Sequence, residues 1–235
     1  MTSTAQFPTL VMIIRHGEKP GDPANDKDGG PDLSILGSGR ALALPSLFTP
    51  DPTTPPVNNM QQLVCKLAAG AEGQITGLYG SSKLNAGAPR FPIPAFLFAT
   101  SPTNGSSSRP LETITPLLQA LQFSQNNPGL TINDSFTNDT DPKAQNGVYA
   151  LASEILGNPS TYAGQIILIS WHHGTIPLLT ERFGVPASQL PWTKWPPTVF
   201  DLVFYITWPS EQALLRVYPQ QLLYGDTITA PGQSS

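Results

Sequence analysis

Short apolar runs recur along the chain, separated by segments in which apolar residues follow a helical spacing. The runs cover residues 9–14, 95–100, 130–132 and 165–170. Apolar runs of this length, without strict alternation with polar residues, are typical of strands that are buried on both faces. They therefore predict four strands of one central sheet.

The segments that follow these runs predict helices. The expected helices cover residues 36–48, a stretch that starts near Pro110, residues 141–156, and a stretch that ends at Phe183. Pro110 suits a first helical turn, and Gly184 suits the end of a helix. Residues 199–208 and 213–217 predict two further strands, which we expect to form an edge hairpin.

Alternation of strands and helices predicts the fold class. It indicates an α/β three-layer sandwich, in which a mostly parallel central sheet is flanked by helices. Residues 49–94 are rich in Pro, Gly and Ser and show no clear period apart from a short helix expected at 60–67. We therefore expect a single domain over residues 1–235 with an insertion at 49–94. In such sheets, ligands bind outside the carboxyl ends of the strands.

Composition and charge narrow the class of protein. Charged residues make up 12% of the chain and the net charge is −4, which favours neither nucleic acid nor an anionic membrane. No apolar run approaches the roughly 18 residues that span a bilayer, and the first residues show no signal peptide. We expect a soluble cytoplasmic protein without nucleic-acid or membrane partners, and the sequence leaves its oligomeric state open.

All three histidines fall in two segments that directly follow apolar runs. The first segment is Arg15-His16-Gly17-Glu18-Lys19, and the second is Trp171-His172-His173-Gly174. Histidine is the one side chain whose unperturbed pKa lies close to neutral pH. Because the carboxyl ends of parallel strands share one edge of the sheet, these segments and the loop before Arg109 predict one common site.

Four motifs occur in order along the chain. They are Arg15-His16-Gly17-Glu18 after the first strand, Leu33-Ser34-Ile35-Leu36-Gly37 at a helix start, Ser101 followed by Ser108-Arg109 and Thr113 after the second strand, and His173-Gly174-Thr175. Together they resemble the motifs of the histidine phosphatase superfamily, which has the phosphoglycerate mutase-like fold. The resemblance covers about Leu10 to Phe183. It implies the same fold and phosphoryl transfer through a phosphohistidine.

The resemblance also implies roles for individual side chains. His16 is the nucleophile, which must be neutral and hold its proton on the far nitrogen against a backbone carbonyl. Arg15 and Arg109 offer planar donors to the phosphate oxygens, and His173 donates to a non-bridging oxygen. Lys19 stands where the acid-phosphatase branch has an extra phosphate-binding arginine. No metal or other cofactor is required, because cationic side chains supply the charge.

The leaving oxygen also needs a proton donor, usually a carboxylic acid with a raised pKa. In many relatives the acid follows the third strand, which points to Asp134 in the segment 133–136, with Glu18 as the alternative. Gly174 excludes the branch that has Asp after the second histidine. His172 is expected to pack beside Trp171 or to bond the backbone, because neighbouring residues of an extended chain point to opposite faces.

The predicted function is metal-independent hydrolysis of a small phosphorylated substrate, which makes the chain a phosphoric monoester hydrolase. The alternative is a catalytically weak binding or scaffold protein that keeps the phosphate pocket and uses the insertion at 49–94 as its interaction surface. A phosphoglycerate-type mutase is less favoured, because residues 21–33 lack the tryptophan of the mutase branch. The sequence does not specify the substrate.

Overall fold

The computed structural model describes residues 6–21, 30–48, 90–102, 107–227 and 231. Its strands are β1 (Leu10–Arg15), β2 (Phe96–Thr100), β3 (Ile132–Phe136), β4 (Ile166–Trp171), β5 (Leu202–Thr207) and β6 (Leu214–Pro219). They form one sheet in the order β3-β2-β4-β1-β5-β6. The first four strands are mutually parallel, whereas β5 runs antiparallel to β1 and β6 antiparallel to β5. The predicted mostly parallel sheet with an edge hairpin is therefore confirmed.

Helices cover both faces of this sheet. They are α1 (Ile35–Ala43), α2 (Arg109–Ser124), α3 (Val148–Gly157), α4 (Pro159–Tyr162) and α5 (Ile176–Arg182), with short 3-10 turns at Leu44–Leu47 and Ala187–Gln189. Val11 and Ile13 of β1 pack with residues of α3 and α5, whereas Met12 and Ile14 pack with residues of α1 and α2. Because both faces of β1 are covered, all six of its residues are buried, which explains the continuous apolar run.

Two predicted boundaries are wrong, and both lie near the third strand. The third strand covers Ile132–Phe136 rather than residues 130–132, so the segment 133–136 lies inside the strand instead of following it. Helix α3 begins at Val148 rather than at 141. The side chains of Asp139 and Asp141 accept hydrogen bonds from the backbone amides two residues ahead, at 2.8 and 2.9 Å. Such local turns compete with helix formation.

Most of the predicted insertion lies outside the described residues, including the short helix expected at 60–67. Residues 90–95 are described and lead into β2. Within the described part of the chain, no helix is long and apolar enough to cross a membrane.

Candidate active site

A pocket opens where β1 and β4 end, and it contains most of the predicted site residues. It has a volume of about 240 Å³ and is lined by Arg15, His16, Lys19, Arg109, Asn138, His172, His173 and Gly174. Arg15 pairs with Trp171 in the register of β1 and β4, so the residues that follow each strand emerge side by side. The carboxyl edge of the sheet thus brings together the two histidine segments and the first residue of α2.

His16 is buried at the end of β1 and is held by the backbone. Its amide donates to the carbonyl of Trp171 at 3.1 Å, and its Nδ1 lies 2.7 Å from the carbonyl oxygen of Gly17. Since a carbonyl can only accept, this contact places the proton on Nδ1 and leaves the lone pair on Nε2. Burial, followed by the proximity of His172 and Arg15, lowers the pKa of His16 well below its usual value. The imidazole is therefore neutral, as a nucleophile requires.

The loop after His16 is anchored to the start of α2. The amide of Gly17 donates to Oγ1 of Thr113 at 2.8 Å, and that hydroxyl donates to the carbonyl of Arg109 at 2.7 Å. Glu112 accepts a hydrogen bond from the amide of Leu33 at 2.8 Å. Thr113 and Glu112 therefore position the elements that carry His16 and Arg109, a role that the sequence pattern alone did not indicate.

Arg15 is completely buried and is held by the segment that precedes β5. Its Nη1 donates to the carbonyl of Val199 at 2.9 Å and to those of Pro196 and Pro197 at 3.3 and 2.5 Å. The guanidinium carbon also lies 3.5 Å from the centroid of the Phe200 ring, a cation–π contact. These contacts fix the orientation of the guanidinium before any substrate binds.

Cationic side chains dominate the wall of the pocket. Arg109 donates from Nη1 to the carbonyl of Gly30 at 2.5 Å, and the side chain of Lys19 is buried. No Asp or Glu is among the lining residues that the structure describes. Two arginines and a lysine in one pocket suit a dianion such as a phosphate group. Within the same described ranges, no cluster of His, Cys, Asp and Glu could hold a metal ion.

The two adjacent histidines both line the pocket, so the expectation that their side chains point to opposite faces is wrong. Strand β4 ends at Trp171, and the alternation of an extended chain no longer applies to the residues beyond it. The ring of His172 lies edge-on to that of His16, with centroids 5.3 Å apart. Burial, followed by Arg109, His173 and Arg15, lowers the pKa of His172 to about 4.

Neither predicted proton donor reaches the pocket. Asp134 is an exposed residue in β3, at the edge of the sheet, and does not line the pocket. Glu18 is buried, but its carboxylate accepts hydrogen bonds from Nε and Nη2 of Arg40 at 3.0 and 2.6 Å and also lies outside the pocket. The residue near β3 that does line the pocket is Asn138, which the sequence analysis did not select.

No family model and no curated protein matches the chain. Among solved structures, it is similar to phosphoglycerate mutase from Bacillus anthracis, at 13% identity and a TM-score of 0.44 over 92% of this chain and 96% of that chain. It is also similar to a mutant of phosphoserine phosphatase from Entamoeba histolytica in complex with phosphoserine, at 11% identity and a TM-score of 0.40 over 90% of this chain and 97% of that chain. A third structure is the protein histidine phosphatase SixA complexed with tungstate, at 13% identity and a TM-score of 0.34 over 90% of this chain and 97% of that chain.

The mutase and SixA are members of the histidine phosphatase superfamily, the family that the sequence motifs resemble.

A buried ion-pair cluster supports the loop on the side away from the pocket. Besides binding Glu18, Arg40 donates from Nη1 and Nη2 to the two carboxylate oxygens of Asp226 at 2.9 and 2.8 Å. Asp226 also accepts from the amides of Leu222 and Leu223, and despite its burial these bonds and Arg40 lower its pKa. The cluster thus links the segment that follows His16 to the segment that follows β6.

Proposed function

We propose that this chain is a metal-independent phosphomonoesterase of the histidine phosphatase type, in which His16 forms a phosphohistidine. The observation that carries the proposal is the state of His16. It is a buried, neutral imidazole with Nδ1 on the carbonyl of Gly17, and it lines a pocket whose charged groups are all cationic in the described residues. A neutral nucleophile beside fixed cations is what attack on a phosphate dianion needs.

The first step transfers the phosphoryl group to the enzyme. The Nε2 lone pair of His16 attacks phosphorus in line with the leaving oxygen, so a P–N bond forms as the P–O bond breaks. The leaving oxygen takes its proton from water, because no carboxylic acid lines the described pocket. Charge on the equatorial oxygens is matched by the guanidinium groups of Arg15 and Arg109 and by a hydrogen bond from His173. In the second step water attacks phosphorus, the P–N bond breaks, and inorganic phosphate leaves.

Fixed orientation of Arg15 favours catalysis over simple binding. Its guanidinium is already held by the carbonyls of Pro197 and Val199 and by the ring of Phe200. A donor that need not reorganise during the reaction stabilises developing charge more than a mobile one.

Hydrolysis of p-nitrophenyl phosphate in the presence of EDTA tests the proposal. The wild-type protein should release nitrophenolate across about pH 5 to 8, the range over which general acid–base groups titrate, and His16→Ala should not. The wild type should also form an acid-labile, base-stable phosphoadduct that His16→Ala lacks. Thermal melting of both proteins checks that the variant is folded.

Two results would overturn the proposal. Equal rates for wild type and a folded His16→Ala variant would exclude His16 as the nucleophile. Binding of phosphate by the wild type without turnover and without a phosphoadduct would instead favour the phosphate-binding or scaffold protein that the sequence left as its alternative.

A further inference from the structure

Phe200 is a buried aromatic residue that lies outside the two apolar cores. Its exposed fraction is 5%, yet it is a member of neither core in the part of the chain that the structure describes. It lies two positions before β5, which runs antiparallel to β1. Because Arg15 and His16 stand at the carboxyl end of β1, this pairing brings Phe200 to them and not to the core.

The ring of Phe200 contacts two polar side chains at once. The guanidinium carbon of Arg15 lies 3.5 Å from the ring centroid, and the ring of His16 lies edge-on, with centroids 6.3 Å apart and an angle of 61° between the planes. At 3.5 Å the flat guanidinium must lie nearly parallel to the ring, because an edge-on approach would push its nitrogens into the ring atoms. The ring therefore presents its face to the cation and its edge region to the imidazole.

We propose that Phe200 is a positioning residue for phosphoryl transfer: its ring holds the guanidinium plane of Arg15 and the imidazole of His16 in one fixed arrangement. The proposal rests on the phosphatase function proposed above and adds a residue to it. Phe200 is not among the residues that line the described pocket, so it acts through its two neighbours and not on the phosphate.

The carbonyl contacts of Arg15 leave this task open. The three contacts from the segment before β5 all end at Nη1, and bonds at one nitrogen do not by themselves fix the tilt of the guanidinium plane. A ring stacked on that plane does fix it. In-line attack requires Nε2 of His16 to face phosphorus while the guanidinium meets the equatorial oxygens, so the rate depends on how these two groups are oriented relative to each other.

The core in turn holds the segment that carries Phe200. Nε1 of Trp195 donates at 2.8 Å to the carbonyl of Val199, the same carbonyl that accepts from Arg15 at 2.9 Å. Trp195 is buried and packs against Phe204 of β5, with ring centroids 4.8 Å apart. The position of Phe200 is thus set by the packed sheet, which allows its ring to orient the side chains beside it.

Hydrolysis of p-nitrophenyl phosphate by Phe200→Leu tests the proposal. Leucine keeps an apolar side chain but removes the flat ring, so kcat/KM should fall about tenfold or more, as expected for a small misplacement of reacting groups. Inhibition by sulfate, which reports anion binding without transfer, should change less than about threefold. Phe200→Met, which also fills the space without a ring, should behave in the same way, so the test does not depend on the folding of a single variant.

The matched control is Phe98→Leu. Phe98 is a core residue of β2, is 1% exposed, and contacts the rings of Phe136 and Tyr162. Its replacement should lower the melting temperature, as removal of core packing does, and leave kcat/KM of the folded protein within about twofold.

A double-mutant cycle with Arg15→Lys shows whether Phe200 acts through Arg15. An ammonium group has no plane for the ring to orient. Phe200→Leu should therefore cost less than about threefold in the Arg15→Lys background, although it costs about tenfold or more in the wild type. A residue that only supports the fold would cost the same factor in both backgrounds.

The outcomes distinguish this proposal from the proposed function. The positioning role is excluded if Phe200→Leu and Phe98→Leu lose equal activity, if sulfate binding weakens as much as kcat/KM falls, or if the cycle shows no coupling. The proposed function still stands in each of these cases where hydrolysis depends on His16. If hydrolysis does not depend on His16, both proposals are wrong, because no transfer step remains for Phe200 to position.

Discussion

Replacing Arg40 by methionine should cost the protein a large share of its stability. Arg40 is the cation that the structure places against the buried carboxylates of Glu18 and Asp226. The side chains of these three residues are only 5%, 8% and 6% exposed. Methionine keeps the aliphatic length of arginine but leaves both carboxylates without their cation. Removal of one partner from a buried pair costs about 3–5 kcal/mol, against about 5–15 kcal/mol for the unfolding of a typical protein.

Urea unfolding of Arg40→Met and of a matched surface variant measures this cost. The control is Arg182→Met, whose Nη2 lies 3.8 Å from Oε2 of Glu181 in a pair that is 39% and 33% exposed. An exposed pair of this kind contributes at most about 1 kcal/mol. The midpoint of Arg40→Met should therefore fall far below that of the wild type, while the midpoint of Arg182→Met stays close to it.

Lowering the pH should narrow the difference in the free energy of unfolding between Arg40→Met and the wild type. In the wild type Arg40 and the backbone amides lower the pKa of Asp226 below its usual 3.8, so its stabilising effect is present above that value and is lost only as the pH falls through the lower, folded value. Without Arg40, burial raises the pKa of Asp226, so the variant regains stability by protonating it at higher pH. This account would be refuted if Arg40→Met lost less than about 1 kcal/mol of unfolding free energy at pH 7. It would also be refuted if the difference between variant and wild type stayed the same from pH 7 to about pH 4.

Three further predictions concern the pocket and the loop beside it. Gly37→Ala should lower both the melting temperature and the proposed phosphatase activity, because its Cβ would collide with the backbone of Glu18. Gly39→Ala has open space around its Cβ, so it should leave the stability unchanged or raise it by up to about 1 kcal/mol. Equal losses in both variants would contradict this. Arg15→Lys should lower kcat/KM for p-nitrophenyl phosphate about 100-fold, because a lysine cannot replace the clamped planar donor, and a loss below about threefold would count against that role. The pKa of His172 is about 4 in the folded chain and 6.5 when unperturbed, so the unfolded chain binds more protons and the stability falls as the pH drops from about 6.5 to 4. His172→Gln should therefore lose less melting temperature than the wild type between pH 7 and pH 5. An equal loss in both proteins would exclude this effect.

The sequence was informative where structure is determined by local pattern. The run at 9–14 predicted a strand that is covered on both faces, and the structure has β1 at Leu10–Arg15 with every residue buried. A parallel sheet then places the residues after β1 and β4 at one edge, which is why the histidine segments could be expected to meet. The pattern also identified the hairpin of β5 and β6, because its two apolar runs are separated by a short polar turn.

The wrong predictions concern residues at or near strand boundaries, where the local sequence pattern no longer specifies the structure. Strand β3 lies at the edge of the sheet and is only partly buried, so its Asn-Asp-Ser sequence resembled a loop and Asp134 was placed beyond the strand. His172 was assigned to the opposite face from His173 by an alternation that stops at Trp171, where β4 ends. In both cases an error of a few residues in a strand boundary changed the expected position of a candidate side chain.

Contacts between distant parts of the chain could not be predicted at all. The carbonyls that hold Arg15 come from residues 181 to 184 positions later, and Arg40 binds Asp226 across 186 positions. A backbone carbonyl is present in every residue, so no side-chain pattern marks the segment before β5 as the clamp of Arg15. Only the packing of β5 against β1 brings that segment to the guanidinium.

Sequestration of carboxylates explains how an acidic chain can present a cationic pocket. The net charge is −4, yet the charged residues that the structure places around His16 in the pocket are Arg15, Lys19 and Arg109. Glu18 would cancel part of this positive charge if its carboxylate turned toward His16, two residues away. Arg40 holds it outside the pocket, and Asp226 in turn holds Arg40. The cluster therefore supports anion binding without contacting the anion, because it determines which charges of the loop face the site.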